Sequence, residues 1–251
     1  RQMDGSMTRE RSGSGLGLIP LLKRGLLKVD AALILDADDF EIIVTQKGLM
    51  HLKVSIRGRR AHGAYPWRGQ NAIDMALAII RAIQKQKFPY AQNKYLRPPT
   101  VNIGTIRGGD KVNIVADWCE FELDLRFLPG AEAEEWLNRL KAIITKHTRK
   151  FRIEIEGIQA PYRISEKHPL VVSLQEAMRQ MRIKPKLAGS EGATVITFFQ
   201  DRSIPAIATG FGSPDTAHAV DEYACADKLY RGAQVLEYFL KNVNLAQWVK
   251  G

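Results

Sequence analysis

Residues 59–72, Arg-Arg-Ala-His-Gly-Ala-Tyr-Pro-Trp-Arg-Gly-Gln-Asn-Ala, carry a histidine, His62, inside a turn bounded by glycine and proline. The preceding residues 49–57 alternate between apolar and polar side chains, which predicts a half-buried strand. Apolar residues at helical spacing predict that a helix follows over residues 71–84. An imidazole exposed between a strand and a helix can hydrogen-bond an oxyanion or move a proton near neutral pH, although a single loop histidine can also be an ordinary surface residue.

The pattern continues downstream as two strands, a helix and a further strand, over residues 100–107, 118–127, 131–147 and 151–156. Together with the first strand and helix, the predicted order is β-α-β-β-α-β. This is the order of the ferredoxin-like α+β arrangement, for which about 110 residues make a self-contained domain. We therefore expect a small domain at residues 48–159.

The segments on either side of this domain have an α/β pattern. Residues 30–35 form a continuous apolar run, typical of a strand covered on both faces in a parallel sheet, and the run ends at Asp36. The other predicted elements are a short helix at 16–25, helices at 168–181, 193–199 and 227–240, a strand at 204–209 and a Gly-Phe-Gly loop at 210–212. A small domain inserted into a second, split α/β domain explains this order, and the predicted divisions are residues 1–47, 48–159 and 160–251.

Composition places the chain among ordinary globular proteins. Of its 251 residues, 45% are hydrophobic and 25% are charged, and no apolar run approaches the roughly 18 residues that a membrane span needs. The net charge of +10 is spread over loops and over helices that also carry glutamates, which argues against specific nucleic-acid binding. The two cysteines, Cys119 and Cys225, form no paired motif, and no leader peptide is visible, so we expect a soluble protein of the reducing cytoplasm without a membrane partner.

Polar residues that could carry chemistry occur along the chain in a characteristic order. Asp36 follows the apolar strand, His62 lies in the turn, Asn113 and Arg126 come next, and His218 stands in the late segment Ala-His-Ala-Val-Asp-Glu. Over about residues 8–240, this series resembles the family of zinc-dependent aminoacylases, carboxypeptidase G and succinyl-diaminopimelate desuccinylase. The resemblance implies a zinc-peptidase-like α/β domain that carries the ferredoxin-like domain as an inserted lid, through which two protomers dimerise.

The resemblance also implies a chemistry, the hydrolysis of amide bonds in small peptides or N-acyl amino acids. Members hold two metal ions, zinc or in its place cobalt or manganese, and Asp36 and His218 match two of the five ligands. Glu10 matches the general base, and His62 matches the histidine that reaches into the partner's site and hydrogen-bonds the oxyanion. The alternative for Asp36 is that residues 36–41 are simply an acidic turn.

Three further residues are candidates for contact with the substrate. Asn113 and Arg126 match polar groups that hold a substrate carboxylate, for which a guanidinium fork is suited. The alternative for Arg126 is an ion pair with Glu122 or Asp124 on the sheet surface. Gly210 could allow a close backbone approach to the substrate, and it could equally form a tight turn.

On the metal side the sequence departs from the family. The opening segment, with a His-x-Asp motif and a bridging aspartate, has no counterpart, and Arg11 follows Glu10 where a zinc-binding glutamate is expected. A guanidinium has no lone pair to donate to a cation. If the segment is aligned with the family motif one residue further along, Glu10 takes the place of the zinc ligand, and no residue is left as the general base. Where the family often has Gly-Thr-Asp-Ala in its C-terminal part, this chain has Gly-Ser-Glu-Gly-Ala at residues 189–193. We therefore expect an N-terminally incomplete metal site, no tight paired zinc binding and no activity of the chain alone.

Two other functions are compatible with parts of the sequence. If the zinc-binding half of such an enzyme has been lost, the remaining chain is a non-catalytic dimerisation or interaction module. A basic ferredoxin-like domain could also bind nucleic acid, but the strands at 49–57 and 118–127 lack the paired aromatic motif that stacks bases. Zinc binding, oligomeric state and salt-dependent DNA binding distinguish the three.

Overall fold

The computed structural model describes residues 17–214 and 220–243, which form two compact units. The first unit holds the described residues up to Lys47 and from Pro161 onward, together with residues 94–96, and the second holds residues 48–93 and 97–160. The second unit therefore interrupts the first in the sequence. Residues 94–96, predicted within the small domain, pack on the first unit instead, where the Tyr95 hydroxyl donates to Glu166 over 2.7 Å.

The described residues contain six α-helices, nine strands and a 3-10 turn at Pro66–Arg68. In chain order they are α1 (Leu18–Lys23), β1 (Ala32–Leu35), β2 (Glu41–Gln46), β3 (Gly48–Arg57), α2 (Ala72–Lys85), β4 (Thr100–Gly108), β5 (Trp118–Phe127), α3 (Ala133–Thr145), β6 (Phe151–Gln159), β7 (Tyr162–Arg163), α4 (Pro169–Gln180), β8 (Lys186–Ser190), α5 (Ile196–Gln200), β9 (Ala206–Thr209) and α6 (Ala226–Asn242). The second unit runs β3-α2-β4-β5-α3-β6, so the predicted β-α-β-β-α-β order is confirmed. None of the described helices has the length and apolar character needed to cross a membrane.

The second unit is an antiparallel sheet covered on one face by two helices. Its strand order is β4-β5-β3-β6, and β3 pairs with β5 from Gly48 opposite Phe127 to Arg57 opposite Trp118. Every second residue of β5, from Cys119 to Phe127, is buried in one core with α2 and α3, because side chains alternate between the faces of a sheet. The polar residues between them therefore line the open face.

The first unit is built on a mixed sheet with helices on both faces. β1 is parallel to β9, β9 is antiparallel to β2, and β2 is parallel to β8 and antiparallel to β7. Ile42 and Val44 of β2 share a buried core with α4 and α6, whereas Ile43 packs with α1 and α5. Alternate residues of one strand thus fill two separate cores.

Parts of this sheet differ from the predicted elements. β2, β7 and β8 have no counterpart among the predicted strands. Residues 30–35 were predicted to be one strand covered on both faces. β1 is shorter, since it begins at Ala32, and Leu33 and Ile34 pack against different cores on its two faces, whereas Leu35 at its end is 60% exposed. α5 begins at Ile196, three residues later than predicted, after the Thr194 hydroxyl has accepted a hydrogen bond from the Ile196 N–H.

His168 caps the N-terminus of α4. Its Nδ1 accepts a hydrogen bond from the Leu170 N–H over 3.1 Å, which satisfies one of the free donors of the first turn. Burial lowers the pKa of the half-buried His168 below its ordinary value, because desolvation disfavours the charged imidazolium. A protonated Nδ1 also cannot accept this bond.

His168→Ala is expected to lower the free energy of unfolding at pH 7.5 by about 0.5–2 kcal/mol, the usual cost of losing a helix cap. Because the pKa is lower in the folded state, the contribution of His168 is complete above the unfolded pKa of about 6.5 and is lost as the pH falls through the folded pKa. The difference between wild type and His168→Ala should therefore shrink at pH 5 in urea titrations. His168→Asn retains an acceptor at both pH values and is the control, and an unchanged difference at pH 5 would contradict the cap.

Candidate functional site

His62 is presented to solvent by a turn whose backbone fixes the imidazole. The Ala64 N–H donates to His62 Nδ1 over 3.0 Å, and the Tyr65 N–H donates to the His62 carbonyl over 2.9 Å. A neutral imidazole whose Nδ1 accepts a hydrogen bond carries its proton on Nε2. The exposed His62 ring therefore offers an N–H donor, which is the group that stabilisation of an oxyanion requires.

The His62 turn is joined to a second loop, which contains Asn113. The Gly63 N–H donates to the Asn113 carbonyl over 2.7 Å, and the Val115 N–H donates to the Ala61 carbonyl over 2.9 Å. A Cβ on Gly63 would lie 2.9 Å from the Asn113 carbonyl carbon, so glycine is what allows this approach. The structure thus brings together two predicted site residues that are distant in the sequence.

Ion pairs connect the same two loops. Arg60 contacts Asp110 and lies 3.2 Å from Asp117. The Trp118 Nε1–H donates to Asp110 over 3.0 Å, and this bond, together with Arg60, holds the pKa of the Asp110 carboxyl below its usual range. Because these side chains reach solvent, the contacts position the loops more than they stabilise the fold.

Two exposed aromatic side chains stand next to His62. Tyr65 is 45% exposed and Trp67 is 72% exposed, and their ring centroids lie 5.7 Å apart in an edge-on arrangement. The Tyr65 ring also lies 5.8 Å from the His62 ring, and the Arg68 guanidinium lies 4.9 Å from the Tyr65 centroid. Exposed aromatic surface beside a hydrogen-bond donor can contact a substrate or a partner. The sequence did not single out these residues, because their exposure depends on the tertiary fold.

Arg126 lies at the other end of the same sheet. Its Nε and one Nη donate to Asp124 over 2.8 and 3.0 Å, which is the ion pair that the sequence offered as the alternative to substrate binding. Eight strand positions separate Arg126 from Trp118, which lies at the His62 end. At the usual rise of a strand this separation is about 26 Å. A single protomer therefore does not bring Arg126 and His62 together.

Asp36 and Gly210 lie side by side in the first unit. They follow the parallel strands β1 and β9, and the Asp36 N–H donates to the Thr209 carbonyl over 3.0 Å. Functional groups of α/β sheets collect at such carboxyl ends. A Cβ on Gly210 would lie 1.6 Å from the Ala37 carbonyl oxygen, so backbone packing by itself accounts for the glycine. The glycine gives no separate support for contact with a substrate.

The acidic side chains that follow Asp36 have structural partners. Asp39 pairs with Lys228 at 2.5 Å, and Glu41 pairs with Lys186 at 2.5 Å. The interpretation as an acidic turn therefore applies to Asp39 and Glu41. Asp36 is exposed at the end of its strand, where a carboxylate ligand is expected, and its role as a ligand stays a prediction.

Two predicted residues, Glu10 and His218, lie outside the described residues. Within residues 17–214 and 220–243, no group of three or more histidine, cysteine, aspartate or glutamate side chains is arranged to hold a metal ion. Zinc usually takes three or four protein ligands, so Asp36 alone does not make a site. The described part of the chain therefore does not fit a complete metal centre.

A buried lysine directly after β2 is a feature that no motif in the sequence reveals. Lys47 is 1% exposed, and its Nζ lies 2.5 Å from a carboxylate oxygen of Glu191. The Lys47 N–H also donates to the Ser190 carbonyl over 3.0 Å. A buried ammonium needs a paired carboxylate, so Glu191, in the segment that departs from Gly-Thr-Asp-Ala, neutralises Lys47.

Comparison with known proteins bears on both units. Residues 44–152 match the family described as a peptidase dimerisation domain, and this range contains His62, Asn113 and Arg126. The acetylornithine deacetylase of Edwardsiella ictaluri is 28% identical over 214 residues, which are 80% of this chain and 54% of that protein. The acetylornithine deacetylase of Aliivibrio salmonicida is 30% identical over 188 residues, which are 70% of this chain and 48% of that protein. The chain thus spans about half the length of the curated relatives it matches.

Solved structures with a similar fold include two peptidases. Aminopeptidase PepT from Bacillus cereus has a TM-score of 0.73 at 21% identity, with 94% of this chain and 62% of that chain covered. A metallo-carboxypeptidase of the M20 family from Sulfolobus solfataricus has a TM-score of 0.71 at 18% identity, with 89% of this chain and 66% of that chain covered. At such identities the likeness concerns the fold, and it confirms the predicted peptidase-like α/β architecture.

Proposed function

We propose that this chain, which belongs to the M20 family of peptidases and deacylases, supplies the lid and the C-terminal part of a metal-dependent hydrolase. Its substrates in this proposal are amide bonds of small peptides or N-acyl amino acids. The observation that carries the proposal is the His62 turn, which holds an N–H donor toward solvent beside Asn113. The relatives named as a deacetylase and as peptidases support the same reaction class.

In this proposal each lid residue acts on a different part of the substrate. His62 donates its Nε2–H to the substrate carbonyl oxygen as that oxygen becomes an oxyanion. The neighbouring Asn113 amide adds a polar contact with the substrate. Arg126 binds the substrate carboxylate through the guanidinium edge that Asp124 does not occupy. The Asp124 pair keeps the fork oriented before substrate arrives.

A twofold dimer formed through β4 would bring these groups together. β4 is an edge strand of the second unit within the described residues, and it runs from Thr100 opposite Arg126 to Gly108 opposite Cys119. Antiparallel pairing of β4 with its copy would place the Gly108 end of one sheet beside the Thr100 end of the other. The partner's His62 would then lie toward Arg126 of the first protomer. We therefore propose a homodimer through the lid, whose sites combine both protomers.

The metal site in this proposal is completed by residues outside the described ranges. Asp36 is the carboxylate ligand at the end of β1, and His218 is the histidine ligand of the second ion. Zinc, or cobalt or manganese in its place, would polarise the carbonyl and lower the pKa of bound water to about 7. Since β1 has β9 as its strand neighbour in the described chain and leaves Leu35 exposed, its free edge is suited to a further strand that brings additional ligands.

The test is an amidase assay on the product of the complete gene, with N-acetylated amino acids and dipeptides as substrates. Hydrolysis that stops with a chelator and returns with zinc, cobalt or manganese is expected. Zinc calorimetry on the 251-residue chain should show no tight binding of two ions, and two tight sites would contradict the account of the missing ligands. A stable dimer without hydrolysis of any substrate would instead favour the non-catalytic dimerisation module.

We also propose a reducing, cytoplasmic location for the protein. Cys119 and Cys225 are both free thiols in the structure, and burial raises the pKa of the Cys119 thiol, which keeps it unreactive. Neither a membrane nor nucleic acid is a proposed partner.

The proposed homodimer through the lid is tested by light scattering. Scattering that shows only monomers would contradict the dimer.

A further inference from the structure

The open face of the second unit's sheet contains a basic pocket whose lining includes none of the residues proposed for amide hydrolysis. The pocket has a volume of about 400 Å³, within the usual range for small-molecule sites. Its lining residues come from β3, β5, β6 and the turn before β6, and they are Ser55, Arg57, Glu120, Arg149, Lys150, Phe151, Arg152 and Glu154.

Both carboxylates of the basic pocket are already neutralised by neighbours. Glu120 lies 3.0 Å from Lys53 Nζ and accepts a hydrogen bond from the Ser55 hydroxyl over 3.2 Å. Lys53 is the main cause of the lowered pKa of Glu120. Glu154 pairs with Arg152 at 3.3 Å. The walls therefore hold little uncompensated negative charge.

Three cations of the basic pocket are left in excess. Arg57, Arg149 and Lys150 form no salt bridge in the described ranges, although Arg57 attracts Glu120, whose charge Lys53 already balances at close range. Their backbone is held in place, because the Arg57 N–H donates to the Lys150 carbonyl over 2.9 Å and the Lys150 N–H donates to the Thr148 hydroxyl over 3.0 Å. A concave surface with a fixed backbone and unpaired positive charge attracts a compact anion.

We propose that the basic pocket binds a small multivalent anion, either a diphosphate group or a polycarboxylate, whose charge balances Arg57, Arg149 and Lys150. Arginine forks match both kinds of oxyanion. A nucleic-acid backbone fits less well, because Phe151 is the one aromatic residue that lines the pocket, and its side chain packs against the hydrophobic core and is not free to stack on bases. Such a site would couple the lid to a charged metabolite, independently of the hydrolytic reaction.

The test is calorimetric titration of the protein with pyrophosphate and, separately, with citrate at low ionic strength. We expect at least one of them to bind, and the stronger ligand identifies the source of the anionic group. The double variant Arg149→Glu/Lys150→Glu should weaken binding by about tenfold or more. The matched control is Lys85→Glu/Lys87→Glu, which changes the net charge equally at exposed residues at and just after the end of α2 and should leave binding unchanged.

The outcomes are distinguishable from those of the amidase assay, because binding is measured without substrate. No binding of either anion overturns the proposal, as does equal weakening by both double variants, which would indicate only a diffuse field. Tighter binding of a single-stranded oligonucleotide than of either small anion would also overturn it. Circular dichroism and melting temperature should show that both double variants remain folded.

Discussion

Replacing His62 with alanine is expected to lower kcat of the assembled hydrolase by about a hundred- to a thousandfold, with little change in KM. The reason is that the Nε2–H, oriented by the Ala64 N–H on Nδ1, gains its full interaction only when the carbonyl oxygen becomes an oxyanion. Steady-state kinetics with the best acetylated amino acid or dipeptide substrate provide the measurement. If the variant keeps the wild-type kcat, His62 takes no part in the reaction.

Two controls sharpen this experiment. His147→Ala removes another exposed histidine of the same unit and should leave kcat unchanged. Mixing His62→Ala with Asp36→Ala subunits tests the reach across the twofold axis, because a hybrid dimer would have one site with both groups intact. Recovery of about a quarter of wild-type activity is expected after random exchange of subunits. No recovery, despite hybrid dimers seen by mass spectrometry, would place His62 in the site of its own protomer.

The His62 end of the site shows what can be predicted from sequence. The glycines and the proline around His62 predicted the turn, because the positions of these residue types reflect the local backbone conformation. The contact between Gly63 and Asn113 joins residues far apart in the chain, and only the resemblance to a family pointed to Asn113. The ion pair of Arg126 with Asp124 was one of two open alternatives, since residues two apart on a strand share a face.

The first unit was harder to predict, for physical reasons. β2 is a short buried apolar run directly after an acidic turn, and a run of that length does not distinguish strand from loop or helix. Nothing in the sequence singles out Lys47, which is buried because Glu191, distant in the sequence, neutralises it. Such pairings depend on tertiary neighbours, which local patterns do not encode.

Replacing Trp136 with alanine is expected to lower the free energy of unfolding of the second unit by about 3–5 kcal/mol. Trp136 of α3 is 1% exposed, stacks on Phe88 with ring centroids 4.1 Å apart, and lies 5.8 Å from the Phe127 ring. Its loss would leave a large cavity that these rigid rings fill poorly. Since domains of this size are stable by about 5–15 kcal/mol, the second unit should approach spontaneous unfolding.

The matched control is Trp67→Ala, which removes the same side chain from a 72% exposed position of the same unit and should change stability by less than about 0.5 kcal/mol. Urea unfolding gives the free energies, and native-state hydrogen exchange of β5 amides assigns the loss to the second unit, because amides in β9 should keep their protection. Equal destabilisation by both variants would show that Trp136 is not the centre of this core. Loss of protection in β9 together with β5 would show that the two units unfold as one.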